Sequence, residues 1–306
     1  MKKSRSLLLV FMTALVSGVS IYLNKYAVKG MDSTIFTFSK NITVSLFLFS
    51  TILLFSNYGE IKKLTFSEWK KLIAIGLVGG SIPFILFFKG LSMTTGTAGS
   101  LIHKTMFLYV LVLAPIFLKE KLNKFVLLGS ALLLFGNYMM LKPQLVLNQG
   151  NMMILAATLF WALENTLSKY TLKELSGNVV AFGRMFFGSL FILTYIIMAG
   201  KAPLLTQLTM PQLSWIAVTS SLLFLYVITW YNGLKHVPVT LATSILLLGA
   251  PITTLLKFIT GAQMTLNTTV GMLSILIGVI TFIHSTEYYK LSNLRKLISN
   301  RKKWEA

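Results

Sequence analysis

Five ionisable side chains stand deep inside apolar stretches of this chain: Lys40, His103, Lys104, Glu164 and Arg184. A charge within hydrocarbon costs about 2.5–3.5 kcal/mol on insertion scales, so each marks a functional site by default. Their types suggest two kinds of chemistry. Lysine and arginine hold anionic groups, and a lone carboxylate shielded from water can take up and release a proton as a coupling ion. Each also has a plainer role. Lys40 can extend its amine to the interface, Glu164 can pair with Arg184 or Lys104, and a single buried imidazole can be a hydrogen-bonded strut rather than a titrating switch. Trp161, Glu164 and Ser168 recur at i, i+3 and i+7, one helix face, with Asn165 beside them. Ser17, Ser20 and Asn24 form the equivalent face of an earlier helix, and both faces are expected to look into a cavity. Thr97, Ser100 and Lys104 share a third face, with His103 turned about 100° away. The candidate binding set is therefore Ser20, Lys40, Ser100, His103, Lys104, Glu164, Asn165 and Arg184.

Other polar residues are set aside. Lys25, Lys89, Lys169 and Lys257 lie within about two turns of a helix end, where a long stem lets the amine snorkel to the interface. His284 and Glu287 close the last helix in water, and His236, beside Pro238, reads as a loop residue. Pro83 follows Gly79-Gly80 and Pro251 follows Gly249. Each removes a rung of the backbone ladder, leaving either a carbonyl for a ligand or a simple packing kink. Phe84, Phe87, Tyr226, Trp230 and Tyr231 are aromatic candidates for a cavity wall.

The elements that must carry these residues are membrane helices. The 306 residues include 28 Lys+Arg, 8 Asp+Glu and no Cys, a net charge of +20, with 55% hydrophobic and 12% charged residues. Soluble domains carry about 25% charged residues, so this composition, with a mean hydropathy of +0.75, excludes a water-soluble fold. It equally excludes a disordered chain. A thiol-ligated metal site is impossible without Cys, and no cofactor is expected. The basic residues lie between apolar runs rather than on one soluble face, which argues against nucleic acid. About 20 apolar residues span a bilayer core, and ten such spans are present: about 6–28, 34–57, 71–91, 96–118, 125–141, 151–172, 178–199, 212–234, 238–260 and 268–286. The first resembles a secretory signal but runs on too far without a cleavage site, so it reads as an uncleaved helix. With both termini in the cytoplasm, eighteen loop and terminal basic residues fall inside and three outside, as the positive-inside rule requires. The expected location is the cytoplasmic membrane, multi-pass. The tail 289–306 is a basic segment suited to an anionic leaflet. At 1.5 Å per residue, Lys40 lies roughly 9 Å and Lys104 roughly 12 Å below the outer edge, with Arg184 roughly 9 Å and Glu164 roughly 12 Å from the inner one.

The chain repeats itself. Leu23-Asn24-Lys25-Tyr26 aligns with Leu167-Ser168-Lys169-Tyr170, Phe38-Ser39-Lys40 with Phe182-Gly183-Arg184, and Leu64-Thr65-Phe66 with Leu208-Thr209-Met210. Gly90-Leu91 returns as Gly233-Leu234, Thr97 as Thr240, and Gly129 and Gly136 as Gly271 and Gly278, all at offsets of 142 to 144. Each unit holds five spans, an odd number, so the second copy must enter from the opposite side. Inverted repeats around a central site can rock between two openings of similar energy. The chain therefore divides at 1–145 and 146–288, followed by the tail 289–306. Lys40 and Arg184 become equivalents, one in each leaflet.

These features resemble the EamA-type units of the drug/metabolite transporter superfamily. The resemblance rests on Trp69 and Trp215 near the start of the third helix of each unit, Gly90-Leu91 and Gly233-Leu234 closing it, and the turns Thr97-Ala98-Gly99-Ser100 and Thr240-Leu241-Ala242-Thr243-Ser244. Lys119-Glu120-Lys121-Leu122-Asn123 and the glycine-spaced fifth helix complete it. It covers about 6–286. The second copy departs at Ala262, where the counterpart of Glu120 would fall, which weakens any role for Glu120 beyond loop capping. The resemblance implies a cavity lined by the first, third, fourth, sixth, eighth and ninth helices, with the fifth and tenth paired away from it.

The function these features imply is secondary active transport of a small polar metabolite, an amino acid or organic anion, by alternating access. The partners are that solute, the bilayer and possible coupling to a proton, with a homodimer left open. No ATP-binding loop is present. Two alternatives stand beside it: a non-transporting scaffold or sensor, and proton-coupled drug efflux through Glu164. A membrane enzyme needs several cooperating groups, and three His with one deep acid show no such spacing.

Overall fold

The computed structural model describes residues 3–27, 30–55, 58–142 and 147–284. The tail 289–306, with Glu287, lies outside them, as does Lys29. Ten helices follow one another: α1 Lys3–Ala27, α2 Ser33–Leu54, α3 Phe66–Leu91, α4 Gly96–Lys104 continued as Met106–Leu118, and α5 Lys124–Leu141. Then come α6 Gln149–Thr171, α7 Gly177–Met198, α8 Met210–Leu234, α9 Val239–Leu246 continued as Gly249–Ile259, and α10 Leu266–His284. Nine are long and apolar enough to cross a membrane. The other, α6, has the length, with 23 residues, but carries Asn151, Glu164, Asn165 and Lys169. A short helical turn, Tyr58–Lys62, precedes α3, and a 3-10 turn, Ala202–Leu205, follows α7.

Local chemistry sets the helix starts. α3 begins five residues earlier than the apolar run, because Thr65 and Glu68 form a capping box: Glu68 Oε2 accepts the Thr65 amide at 2.7 Å. α8 repeats the device, with Gln212 Oε1 accepting the Thr209 amide at 2.9 Å. Such a box satisfies two orphan donors of the first turn, so polar residues enter the helix ahead of the span. Asp32 caps α2 by accepting from the amides of Thr34 (2.8 Å) and Ile35 (3.2 Å), and pairs with Lys201 at 2.7 Å. Partial burial works to raise its pKa, but Lys201 and the two amides outweigh that and hold it below the usual carboxylate range. A carboxyl held low when folded adds stability above its unfolded pKa of about 3.9, and that stability is lost as pH falls through the depressed value. Asp32→Asn keeps a capping side chain and removes the charge. Its melting temperature is therefore expected to lie below that of the wild type at pH 6 and to converge with it in strong acid; parallel profiles would refute this.

The packing treats the two halves alike. α1 lies on α8 as α6 lies on α3; α1 meets α9 as α6 meets α4; α2 packs on α8 as α7 packs on α3; α2 and α7 meet each other. This is the scheme of two modules about a two-fold axis. α5 and α10 close the far edge. A Cβ on Gly136 would stand 2.6 Å from the Gly271 carbonyl oxygen, and one on Gly129 would stand 3.0 Å from that of Gly278. The contact climbs one helix as it descends the other, so these equivalent helices are antiparallel. Side chains larger than hydrogen cannot enter such an approach. We call the side of the molecule where α1 begins the N-terminal face and the opposite side the distal face.

Candidate functional site

Two carbonyls of α3 organise the centre. Pro83 offers no N–H to Gly79, four residues earlier, and the Phe84 amide bonds Ser81 at 3.0 Å rather than Gly80. Both freed oxygens are occupied. Gly79 accepts Arg184 Nη2 and Trp161 Nε1, each at 3.2 Å, and Gly80 accepts Asn41 Nδ2 at 3.2 Å. The kink thus serves packing between α2, α3, α6 and α7. Glu164, 1% exposed, presses against the same turn: a Cβ on Gly79 would come within 2.1 Å of its Cγ. Glu164 Oε1 accepts Ser168 Oγ at 2.6 Å and Tyr231 OH at 2.7 Å, while Oε2 stands 3.9 Å from Arg184 Nε. Glu164 thus faces Arg184 at ion-pair distance, the geometry that the plainer of its two expected roles requires.

The remaining candidates separate into distinct places. Lys40 donates to Asn24 Oδ1 at 3.1 Å and lies 4.7 Å from the centre of the Phe36 ring, and Asn24 in turn donates to Ser20 Oγ at 3.2 Å. His103 meets Trp161 and Phe87 edge-on, at 4.7 and 5.5 Å between ring centres. Asn165 donates to the Trp161 carbonyl at 2.8 Å, within its own helix. Only Ser100 and Lys104 of the set line the cleft that opens on the distal face. It holds about 270 Å³ and is bounded by α1, α4, α5, α9, α10 and the α9–α10 loop. The first, fourth and ninth helices are therefore shared with the cavity expected from the resemblance; among the described residues the third, sixth and eighth do not line the cleft, and the fifth and tenth, expected to lie away from the cavity, do. Lys257, read from its position as an interfacial residue, lines this cleft with Thr253 and Thr254, one helical turn earlier on α9.

The N-terminal face is built differently. There the first segment of α9 packs on the second segment of α4. Pro238 supplies no side-chain cap to α9, and Glu120, from beyond the end of α4, takes that place. Its Oε1 accepts the Val239 amide at 2.7 Å, and its Oε2 accepts the Thr240 amide at 3.2 Å and hydroxyl at 2.7 Å. Glu120 therefore does more than the loop capping expected of it: it ties one half of the chain to the other. Lys169 closes the neighbouring end of α8, donating to the carbonyls of Leu234, Lys235 and Val237 at 2.6, 3.1 and 2.7 Å. On the distal face the counterpart of Glu120 is Ala262, which lines the cleft, and the first segment of α4 is capped locally, Thr95 Oγ1 accepting the Ala98 amide at 3.3 Å.

Ten helices in two similarly packed halves, with no strand among the described residues, define an all-α polytopic membrane protein. The chain belongs to the EamA-like transporter family, which it matches twice, over residues 4–142 and 148–283. It is 22% identical to an uncharacterized transporter of Clostridium kluyveri over 77% of this chain and 78% of that one. It is 23% identical to the uncharacterized transporter YyaM of Bacillus subtilis, over 68% and 71%. A protein of known crystal structure shares the fold, with a TM-score of 0.77 at 15% identity across 92% of this chain and 98% of that chain.

Proposed function

We propose that this chain is a secondary carrier that moves a small polar metabolite by alternating access, with its N-terminal face in the cytoplasm and its distal face outside. The observation that carries this reading is the inequality of two faces built from equivalent parts. On one face the α4 and α9 ends are bound together through Glu120. On the other, the matching segments flank an open cleft, where Ala262 stands in the place of Glu120 and has no carboxylate to make such a tie. Two modules related by a two-fold axis have a second arrangement in which these roles exchange, and switching between them would carry a bound solute across. Among the described residues, eleven basic residues at the helix ends and loops of the N-terminal side against two on the distal side support the orientation in the cytoplasmic membrane. Cationic drug efflux through Glu164 draws no support, since that carboxylate is bonded and does not line the cleft.

The test is reconstitution. Protein in liposomes is expected to accumulate or exchange at least one radiolabelled compound among amino acids, organic acids and nucleosides. The assay is run with and without a pH gradient. A folded protein that moves none of them under either condition would point to a scaffold instead.

A further inference from the structure

The seven basic residues within the spans differ sharply in what surrounds them. Arg184 has Glu164, Lys169 has three carbonyls, and Lys40 has Asn24 and the face of Phe36. Lys89, at the end of α3, does not line the cleft, and the Lys25 side chain lies outside the described residues. Lys104 and Lys257 remain. They line one cleft, on α4 and α9, and among the described residues neither donates a hydrogen bond nor meets a carboxylate. Among the described residues no Asp or Glu lines that cleft; Ser100, Thr254, Gln263 and Thr268 add uncharged polar groups. Two like charges lining one cleft, Lys104 half-buried and Lys257 exposed, repel each other across it. An anion placed between them converts that repulsion into two attractions. A volume of about 270 Å³ suits a small solute, because sites for drug-sized ligands begin near 300 Å³.

We propose that Lys104 and Lys257 together bind the anionic group, a carboxylate or a phosphate, of the transported solute, with Ser100 and Gln263 offering hydrogen bonds beside it. This rests on the carrier reading. It reassigns Lys40, which sequence position made an equally good candidate, to a tie between α1 and α2.

The experiment measures binding to purified protein in an uncharged detergent, by calorimetry and by thermal stabilisation. The probes are succinate, L-glutamate and glycerol 3-phosphate, each against its neutral counterpart succinamide, L-glutamine or glycerol. At least one anion is expected to bind tenfold or more tightly than its counterpart. Lys104→Gln and Lys257→Gln are each expected to remove most of that preference, and Lys40→Gln to leave it. Without ligand, neither cleft variant should melt below the wild type, since each relieves a repulsion. Equal weakening of anionic and neutral probes, or a preference that survives both cleft substitutions, overturns the proposal. So does a lowered melting temperature with anion binding intact, which would make the lysines structural. A second arm replaces detergent by phosphatidylcholine nanodiscs with or without phosphatidylglycerol. Lysine-dependent stabilisation by phosphatidylglycerol, with none by the soluble anions, would show that the cleft holds a lipid headgroup and overturn the solute assignment. Flux separates the two readings. Lysine-dependent anion binding without transport of any compound would keep the site and remove the carrier. Transport of neutral compounds alone, indifferent to both lysines, would do the reverse.

Discussion

Glu164→Ala is expected to destabilise the folded protein by about 3–5 kcal/mol, because it leaves a buried guanidinium without its counter-charge. The loss should exceed that of an ordinary hydrogen-bonding residue. Glu164 accepts from Ser168 and Tyr231 as well as facing Arg184, and Gly79 has been kept free of a side chain to make room for it. Arg184→Ala removes the other charge and also leaves the Gly79 carbonyl with one donor instead of two. Glu164→Ala and Arg184→Ala combined should therefore be less damaging than the sum of the singles. Unfolding in detergent, followed by tryptophan fluorescence, would give the coupling. Additive losses, within about 0.5 kcal/mol, would mean that the two charges act independently and that Glu164 is free for another role.

Breaking the tie at the N-terminal face should shift the protein toward its other arrangement. Three hydrogen bonds run from the start of α9 to the Glu120 carboxylate, and a bond to a charged group contributes about 1.5–3 kcal/mol. If Glu120→Ala forfeits about 2 kcal/mol of net preference, the ratio of the two arrangements moves roughly thirtyfold. The chain has no Cys, so single cysteines report accessibility without background. Ser100→Cys in the cleft is expected to react more slowly with an impermeant maleimide once Glu120 is Ala. Thr243→Cys, buried at 2% exposure in the first segment of α9, should become reactive. Ala262→Glu should also slow labelling at Ser100→Cys, by placing a carboxylate near the start of α4. Unchanged rates at both reporters would show that Glu120 caps a helix without governing which face opens.

Much of the architecture was legible in the sequence, and particular residues show why. The spans follow from apolar length, and the duplication from matched positions such as Thr65 and Thr209, which turn out to start α3 and α8 with the same cap. Depth along a helix was legible for the same reason: rise per residue is constant. What a side chain meets was not. Lys40 and Lys104 sit at similar depths, yet one is bonded to Asn24 and the other faces an open cleft, a difference set by helix rotation and by neighbours distant in the chain. Lys257 lay near a helix end and so looked interfacial; only the arrangement of α4 and α9 around one cleft brings it together with Lys104. Glu120 was placed at the correct loop, but its partners are 119 and 120 residues away. The early start of α3 was hidden because hydropathy ignores a polar first turn that a capping box can hold.

The glycine seam between α5 and α10 has a mechanical consequence. Their backbones touch at Gly136 against Gly271 and at Gly129 against Gly278, so neither helix can slide or roll without steric collision. In the proposed alternating-access cycle, whatever swings as the cleft closes would swing about this pair. The seam would be the fulcrum, and α4 and α9, each broken midway into two segments, the lever arms.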